Sequence, residues 1–375
     1  MRGLSAERAE LKVRTEALAA GPLRELAEVG EPGRINRPLL SALAANGLLD
    51  RIFPRTDHGY APTSATDLCV IREGLARYCT EAETTFALQG LGAYPILLGG
   101  TPSVIEHWIP RIADGSVAVG FALTEPEAGS DAAALALAAT PTEDGYLLNG
   151  EKVYISNAPE AEVYSVFART TPGAGARGIT AFVVPRSSAG LTGDTLDLLA
   201  PHPVGRLRFT DVVVTPDQVL GERDHGWALA MRTLDMFRPS VGAFAVGMAQ
   251  AALDSAVAHA AKRHAFGKSL SSFQGISHQL ADVATRLHAA RLLVRDAAAA
   301  YDEAPGQTGH LSAMAKLFAT ETAQQAVDLA IQVHGARALE RGHPLEHLYR
   351  EVRAPRIYEG ASEIQREIIA RALFR

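Results

Sequence analysis

The chain has 375 residues, of which 47% are apolar and 21% charged, and its formal net charge is −6. That length exceeds one ordinary hydrophobic core, so two or three domains are expected. The acidic balance and the lack of a long basic block argue against a nucleic-acid surface, and no uninterrupted apolar run reaches the ~18 residues of a membrane span.

Glu7 and Glu10 lie among the first Arg and Lys residues and no apolar h-region follows, so a secretory signal is not expected and a soluble cytoplasmic protein is the simplest reading. Up to residue 115 the pattern is mainly helical. Leu39, Leu40, Leu43 and Leu48 recur at helical spacing, with Asn46-Gly47 as a stop. Asp57–Tyr60 reads as a loop, and helix resumes through Leu68–Tyr78 and Pro102–Ile112. Cys69 and Cys79 fall in this helical stretch and read as small buried apolar residues rather than a disulfide or a metal site. From 116 to about 222 the texture becomes strand-like. Tyr146–Ser156 places Asn149-Gly150 between two alternating runs, a hairpin signal. Val163–Ala168, Ile179–Val184 and Leu207–Val214 add strands. Helix returns after Gly226, with stripes at Val246, Ala249, Leu253, Val257 and Ala260, then at Leu280, Val283, Leu287, Ala290, Val294 and Tyr301. Further helices are expected over Leu311–Val333 and Glu363–Leu373. The expected fold is α+β: an N-terminal helical domain (1–115), a middle β domain (116–222) and a C-terminal helical bundle (223–375).

Four segments carry residues suited to chemistry. The first, Phe121–Asp131, joins the breakers Pro126 and Gly129 to the hydroxyls of Thr124 and Ser130. By itself it is a capped turn; it also suits an anionic, polar cofactor. The hairpin then ends Tyr154-Ile-Ser156-Asn157, which alone would be sheet packing. The second segment runs Arg263-His-Ala-Phe266-Gly267-Lys268, followed by Gln274 and Leu280-Ala-Asp282; an Arg at a helix end complements the dipole or grips a pyrophosphate. The third is Gln332-Val-His-Gly335-Ala336-Arg-Ala338. In the fourth, Tyr358-Glu359-Gly360-Ala361-Ser362-Glu363, a carboxylate at a helix start is either solvated or a base. His343 and His347 have helical i,i+4 spacing but flank Pro344 without a His-Glu-x-x-His pattern, so no metal is expected. A Rossmann Gly-x-Gly-x-x-Gly and a P-loop are absent from the sequence.

In this order and texture, the segments resemble the signatures of the acyl-CoA dehydrogenase family, over roughly Gly47 to the C-terminus. The resemblance implies an FAD-dependent α,β-dehydrogenation of an acyl thioester. Cofactor contacts would come from Phe121, Leu123, Thr124, Gly129, Ser130, Tyr154 and Ser156, with the Tyr154 ring against the flavin and Ser156 donating to its reactive nitrogen. Arg263, Phe266 and Gln274 would reach the neighbouring subunit's FAD, Gln332 and Gly335 would lie at the adenosine end, and Ala361 and Glu363 would complete the set. Glu359 would be the base that removes the α-proton. Ser130, Asp235, Arg238, Tyr358 and Gly360 would touch substrate. Some relatives carry the base on the first bundle helix, but the matching Phe237 cannot accept a proton. The resemblance further implies a homotetramer, with an electron-transferring flavoprotein as electron acceptor. The chain departs from the pattern in having Tyr154 for Trp, Ser156 for Thr, and Ala336 and Ala338 for glycines. It also departs at Ala200–Leu207, where the family has a polar Arg- and Ser-containing turn near the mouth for the pantetheine arm. A carrier-protein thioester, an oxygen-using oxidase and a non-catalytic scaffold remain open as alternatives.

Overall fold

A computed structural model describes residues 4–374, and the chain divides into two compact units that interleave along the sequence. The succession of helices, β-sheet and helices expected from the sequence is the one formed.

One unit collects the chain up to Arg24, Ser64–Glu83 and Asp235 onward, and it is helical. Gln274–Glu303 and Gly309–His334 pair across a short connection, and Pro344–Val352 and Ser362–Leu373 pack on the second of them. The stripe Leu280, Val283, Leu287, Ala290, Val294 and Tyr301 is buried, as its three- and four-residue steps require. On Gly226–Lys262 the buried face follows Ala249, Ala252, Ala256 and Ala260 instead, while Val257 is 49% exposed. The small residues win that face because neighbouring backbones come close. A Cβ on Gly247 would stand 2.6 Å from the Glu73 carbonyl oxygen, and one on Gly242 would meet Val294 at 2.7 Å. The helix Ala65–Ala76 is anchored at its start by Asp302, which accepts from the amides of Ala65 at 2.6 Å and Thr66 at 3.2 Å. Cys69 and Cys79 are buried and free.

The other unit, Glu25–Thr63 with Thr84–Leu234, is built on an eight-stranded sheet. Its order is Val219–Leu220, Ile179–Pro185, Val163–Arg169, Ala138–Thr142, Gly145–Ser156, Val204–Val214 and Leu191–Thr195, with Val119–Ala122 parallel to Val163–Arg169. Asn149-Gly150 is not a turn. It lies within the single strand Gly145–Ser156, where the register to Val204–Val214 shifts between Leu148 and Gly150. The hairpin reverses earlier, at Glu143-Asp144, between paired Thr142 and Gly145. Asn149 is held across the sheet by Asp211: its Nδ2 donates to the Asp211 carboxylate and its Oδ1 accepts from the Asp211 amide, both at 2.9 Å. Asp211 itself has φ 51°. Asn-Gly thus supplies a bulge rather than a reversal. Asp57–Tyr60, read as a loop, closes a small hairpin of Arg55–Thr56 and Gly59–Tyr60.

A buried ion pair fastens the first candidate loop to this sheet. Lys152 is fully buried, and its Nζ donates to the Leu123 carbonyl and to Glu125 Oε1, each at 2.8 Å. Glu125 also accepts from the amides of Ala136 at 2.6 Å and Leu137 at 2.9 Å. Burial pushes the Lys152 ammonium down to about 8, against the opposing pull of Glu125. Removing one member of such a pair strands the other. Lys152→Met should therefore lose about 3–5 kcal/mol of unfolding free energy. Urea unfolding of the purified variant checks this, and an unchanged midpoint would contradict it.

Candidate active site

In the sheet unit, Thr124–Asp131 follows directly from the strand Val119–Ala122. A tight turn forms at its centre, where the amides and carbonyls of Glu125 and Ala128 exchange hydrogen bonds of 3.2 Å. The Thr124 carbonyl accepts from the Val153 amide at 3.0 Å, so the loop is stitched to the strand bearing Tyr154. Thr124 and Phe121 are half-buried, and Phe121 packs against Phe167 with ring centres 4.9 Å apart. The Leu123 side chain is buried and its carbonyl accepts from Lys152. Gly129 and Ser130 are exposed, and a Cβ on Gly129 would meet nothing within 4 Å. The space in front of that glycine is open for a ligand to approach the backbone.

Tyr154 sits on a second register shift, between the pairs Lys152–Leu207 and Ile155–Gly205. Two residues there oppose one, and Tyr154 takes φ 58°, a conformation that bulky side chains rarely hold. The result is a ring 61% exposed between the buried Val153 and Ile155. Asn157, at φ 63°, continues the irregularity. Its Nδ2 donates to the Val119 carbonyl at 2.9 Å, and its amide donates to the Pro203 carbonyl at 2.7 Å. The Ala200–Leu207 turn is thereby tied to the end of the Tyr154–Ser156 strand. Ser156 is half-buried.

In the helical unit, Glu359 lies between a short turn at Ala354–Arg356 and the helix Ser362–Leu373. It adopts φ 51°, followed by Gly360 at φ 92°. This kink aims three successive carbonyls inward. Buried Lys316 donates to the Tyr358 carbonyl at 2.7 Å and the Gly360 carbonyl at 2.5 Å. The Glu359 carbonyl accepts from Gln365 Nε2 at 3.2 Å and from Arg238 Nε at 3.4 Å. A side chain at 360 would strike Gln365, since a Cβ there would be 2.6 Å from Nε2. Among the described residues the Glu359 amide donates to no acceptor, and its buried Oε2 has no hydrogen-bond partner. Burial raises the carboxyl above its ordinary range, while Arg72, Lys316 and Arg238 pull it back. Arg72 is itself held by Glu83 and by Ser240, at 2.6 Å from the hydroxyl, and Arg238 by Asp235 at 2.5 Å. Burial raises the Asp235 carboxyl, and Arg238 opposes that shift. Phe237 is fully buried. Tyr358 is 37% exposed, Ala361 caps the final helix, and Glu363 points to solvent.

The remaining candidates are exposed. Arg263 precedes a miniature hairpin, His264–Ala265 with Lys268–Ser269, whose turn Phe266-Gly267 has φ values of 50° and 79°. Such a turn suits a two-residue hairpin, and it carries the Phe266 ring outward, 95% exposed. Gln274 opens the next long helix. Gln332 is exposed on the last turn of Gly309–His334, and Gly335 ends that helix at φ 67°. Ala336 is exposed, whereas Ala338 is fully buried. His343 accepts from the Leu345 amide at 3.1 Å as a helix cap, and His347 bonds Thr80 Oγ1 at 2.7 Å.

Sequence reasoning missed Lys152, Lys316, Arg72 and Gln365. Lys152 stands on the core-facing side of its strand, and Lys316 falls on the buried stripe with Ser312, Ala313 and Ala319. A lysine at a position that periodicity assigns to the core was the available signal. The implied FAD fits the residues present in the sheet unit: an exposed ring held in a strained conformation, and hydroxyls beside an open glycine.

Comparison with known proteins identifies the family and the fold. The N-terminal, middle and C-terminal domain families of acyl-CoA dehydrogenase match residues 5–116, 120–212 and 224–374. Cyclohexane-1-carbonyl-CoA dehydrogenase of Geobacter metallireducens is 33% identical over 98% of each chain. The structure of butyryl-CoA dehydrogenase from Megasphaera elsdenii superposes with a TM-score of 0.92 at 32% identity, covering 100% of both chains. That of the prolyl acyl carrier protein oxidase AnaB gives 0.91 at 25% identity, covering 99% of this chain and 100% of the other. The chain belongs to the acyl-CoA dehydrogenase family, whose members of this kind are FAD-dependent oxidoreductases acting on CH–CH bonds.

Proposed function

We propose that the protein oxidises an acyl thioester across its α,β-carbons, with Glu359 as the base. The observation that carries this reading is the buried, unpartnered Oε2 of Glu359. An α-proton of a thioester is weakly acidic, so the base must hold its affinity for protons without being consumed by a neighbouring donor. Burial provides the affinity, and Arg72, Lys316 and Arg238 keep the group ionisable. The unengaged Glu359 amide is available to polarise the thioester carbonyl as negative charge develops on it. FAD, when bound, supplies the acceptor for the hydride that leaves the β-carbon. Phe121, Leu123, Thr124, Gly129, Ser130, Tyr154 and Ser156 would hold it from the sheet unit, with Tyr154 as a stacking surface and Ser156 as a donor. Arg263, Phe266, Gln274, Gln332, Gly335, Ala361 and Glu363 complete the cofactor set. Ser130, Asp235, Arg238, Tyr358 and Gly360 would meet substrate. The outward Phe266 turn supports a homo-oligomer, a tetramer in this reading, and an electron-transferring flavoprotein is the proposed electron acceptor.

Two experiments bear on the base. Anaerobic addition of acyl thioester to the yellow holoenzyme should bleach the flavin, whereas Glu359→Gln should retain FAD and bleach at least about 10³-fold more slowly. Reduction at near wild-type rate in that variant would remove Glu359 from the mechanism. Because the working form is the carboxylate, kcat/KM should rise with pH along an acid limb. Its midpoint should lie above the ordinary glutamate range, in the direction of the raised Glu359 value. A limb centred in or below that range would contradict a buried base.

A second reading replaces CoA by an acyl carrier protein. It rests on the Ala200–Leu207 turn, where prolines flank His202 and the backbone is drawn toward Asn157. The similarity to a prolyl carrier-protein oxidase supports it. On this reading a carrier-protein thioester is turned over and the same acyl group on CoA is not; the opposite preference, measured with matched acyl groups, eliminates it.

A further inference from the structure

The proposed base does not stand alone, and the group that governs it comes from a different helix. Lys316 is fully buried on the interior stripe of Gly309–His334. Its ammonium bonds the carbonyls on either side of Glu359, at 2.7 Å and 2.5 Å. Among the described residues it forms no ion pair, whereas Arg72 is paired with Glu83 and Arg238 with Asp235. A buried ammonium without a carboxylate is costly, and two carbonyl hydrogen bonds could be served by a neutral amide at lower cost. The charge therefore needs a reason.

Resting on the reading of Glu359 as the base, we infer that Lys316 is its positioning residue. By bonding the Tyr358 and Gly360 carbonyls, Lys316 fixes the left-handed kink that presents the carboxylate, and it keeps a positive charge beside it. A left-handed non-glycine residue is strained, and hydrogen bonds from a charged donor to the carbonyls on either side hold it in place. Glu359 is also the largest favourable electrostatic partner of Lys316. The other charged groups that act on the pair are Arg72 from Ala65–Ala76, Arg238 from Gly226–Lys262, Glu321 from the lysine's own helix and Glu363 from Ser362–Leu373. Burial pushes the Lys316 ammonium down to about 8, which leaves it charged at neutral pH. A cation so placed lowers the proton affinity of the base, so its removal must raise it.

The test uses FAD-loaded wild type, Lys316→Gln, Lys316→Arg and Glu359→Gln. Infrared difference spectroscopy follows the Glu359 carboxyl as pH is varied, with Glu359→Gln as the blank and no substrate present. In Lys316→Gln, which keeps one donor for the loop, the midpoint should move up by about one pH unit. Lys316→Arg should bring it back. With the thioester that wild type turns over fastest, kcat should fall about 10²-fold in Lys316→Gln while FAD content stays unchanged. A folded Lys316→Gln with the wild-type midpoint overturns the inference. So does a Gln variant that cannot fold beside an Arg variant that folds and works, since only a structural role would then remain. Turnover retained by Glu359→Gln would sink the proposed base alone, because the carboxyl titration reads the influence of Lys316 without turnover.

Discussion

The helical unit depends on one constraint: a carboxylate must be taken out of water and left with an oxygen that no described residue bonds. An isolated buried charge would simply protonate, so cations have to surround it without capping it. Three helices each supply one, Arg72 from Ala65–Ala76, Arg238 from Gly226–Lys262 and Lys316 from Gly309–His334. Their approach requires missing side chains, and Gly247 and Gly242 stand at those contacts. Asp302 fixes the helix of Arg72 from its N-terminus. Two of the cations are neutralised by Glu83 and Asp235, which leaves the net field at Glu359 moderate rather than overwhelming. A stronger field would lower the proton affinity of the carboxylate further.

The sheet unit meets a related demand with different means. A bulky ring has to leave the pleat and face outward, against the alternation that buries Val153 and Ile155. A bulge with positive φ achieves it, at a cost of order 1–3 kcal/mol for each strained residue. Tyr154 and Asn157 both carry that cost. Around them the backbone is over-determined: Lys152 and Glu125 lock the preceding loop, and Asn157 bridges Val119 and Pro203. The same ties reach the Ala200–Leu207 turn, so a change in that turn is transmitted to the strand end carrying Ser156.

Much of this was legible in the sequence, and the failures have physical reasons. Phe121–Asp131 and Tyr358–Glu363 stood out because breakers, hydroxyls and a carboxylate occur together in short windows. The stripe from Leu280 to Tyr301 was legible because one face of one helix records it. Asn149-Gly150 misled because left-handed and glycine-tolerant positions serve bulges as well as turns, and only the opposing strand decides. Val257 misled because alanines take the buried face where helices nearly touch. Lys152 and Lys316, though marked by core positions, were passed over for a further reason. A lysine is read as solvated unless its partners are known, and these lie 27 residues away at Glu125 and 42 and 44 away at the loop carbonyls.

The position of the proposed base on a loop, rather than at the helical position of Phe237, follows from the same geometry. A residue inside a helix spends its amide and carbonyl on the ladder and has its φ fixed. It can be aimed only by moving the helix. At Glu359 the backbone groups are free for other work: three neighbouring carbonyls serve as handles for Lys316, Gln365 and Arg238, and the amide stays uncommitted. Aim and proton affinity then become separate quantities, set by hydrogen bonds to the backbone and by charges around the side chain. Phe237 fills the helical alternative with a side chain that packs and cannot titrate.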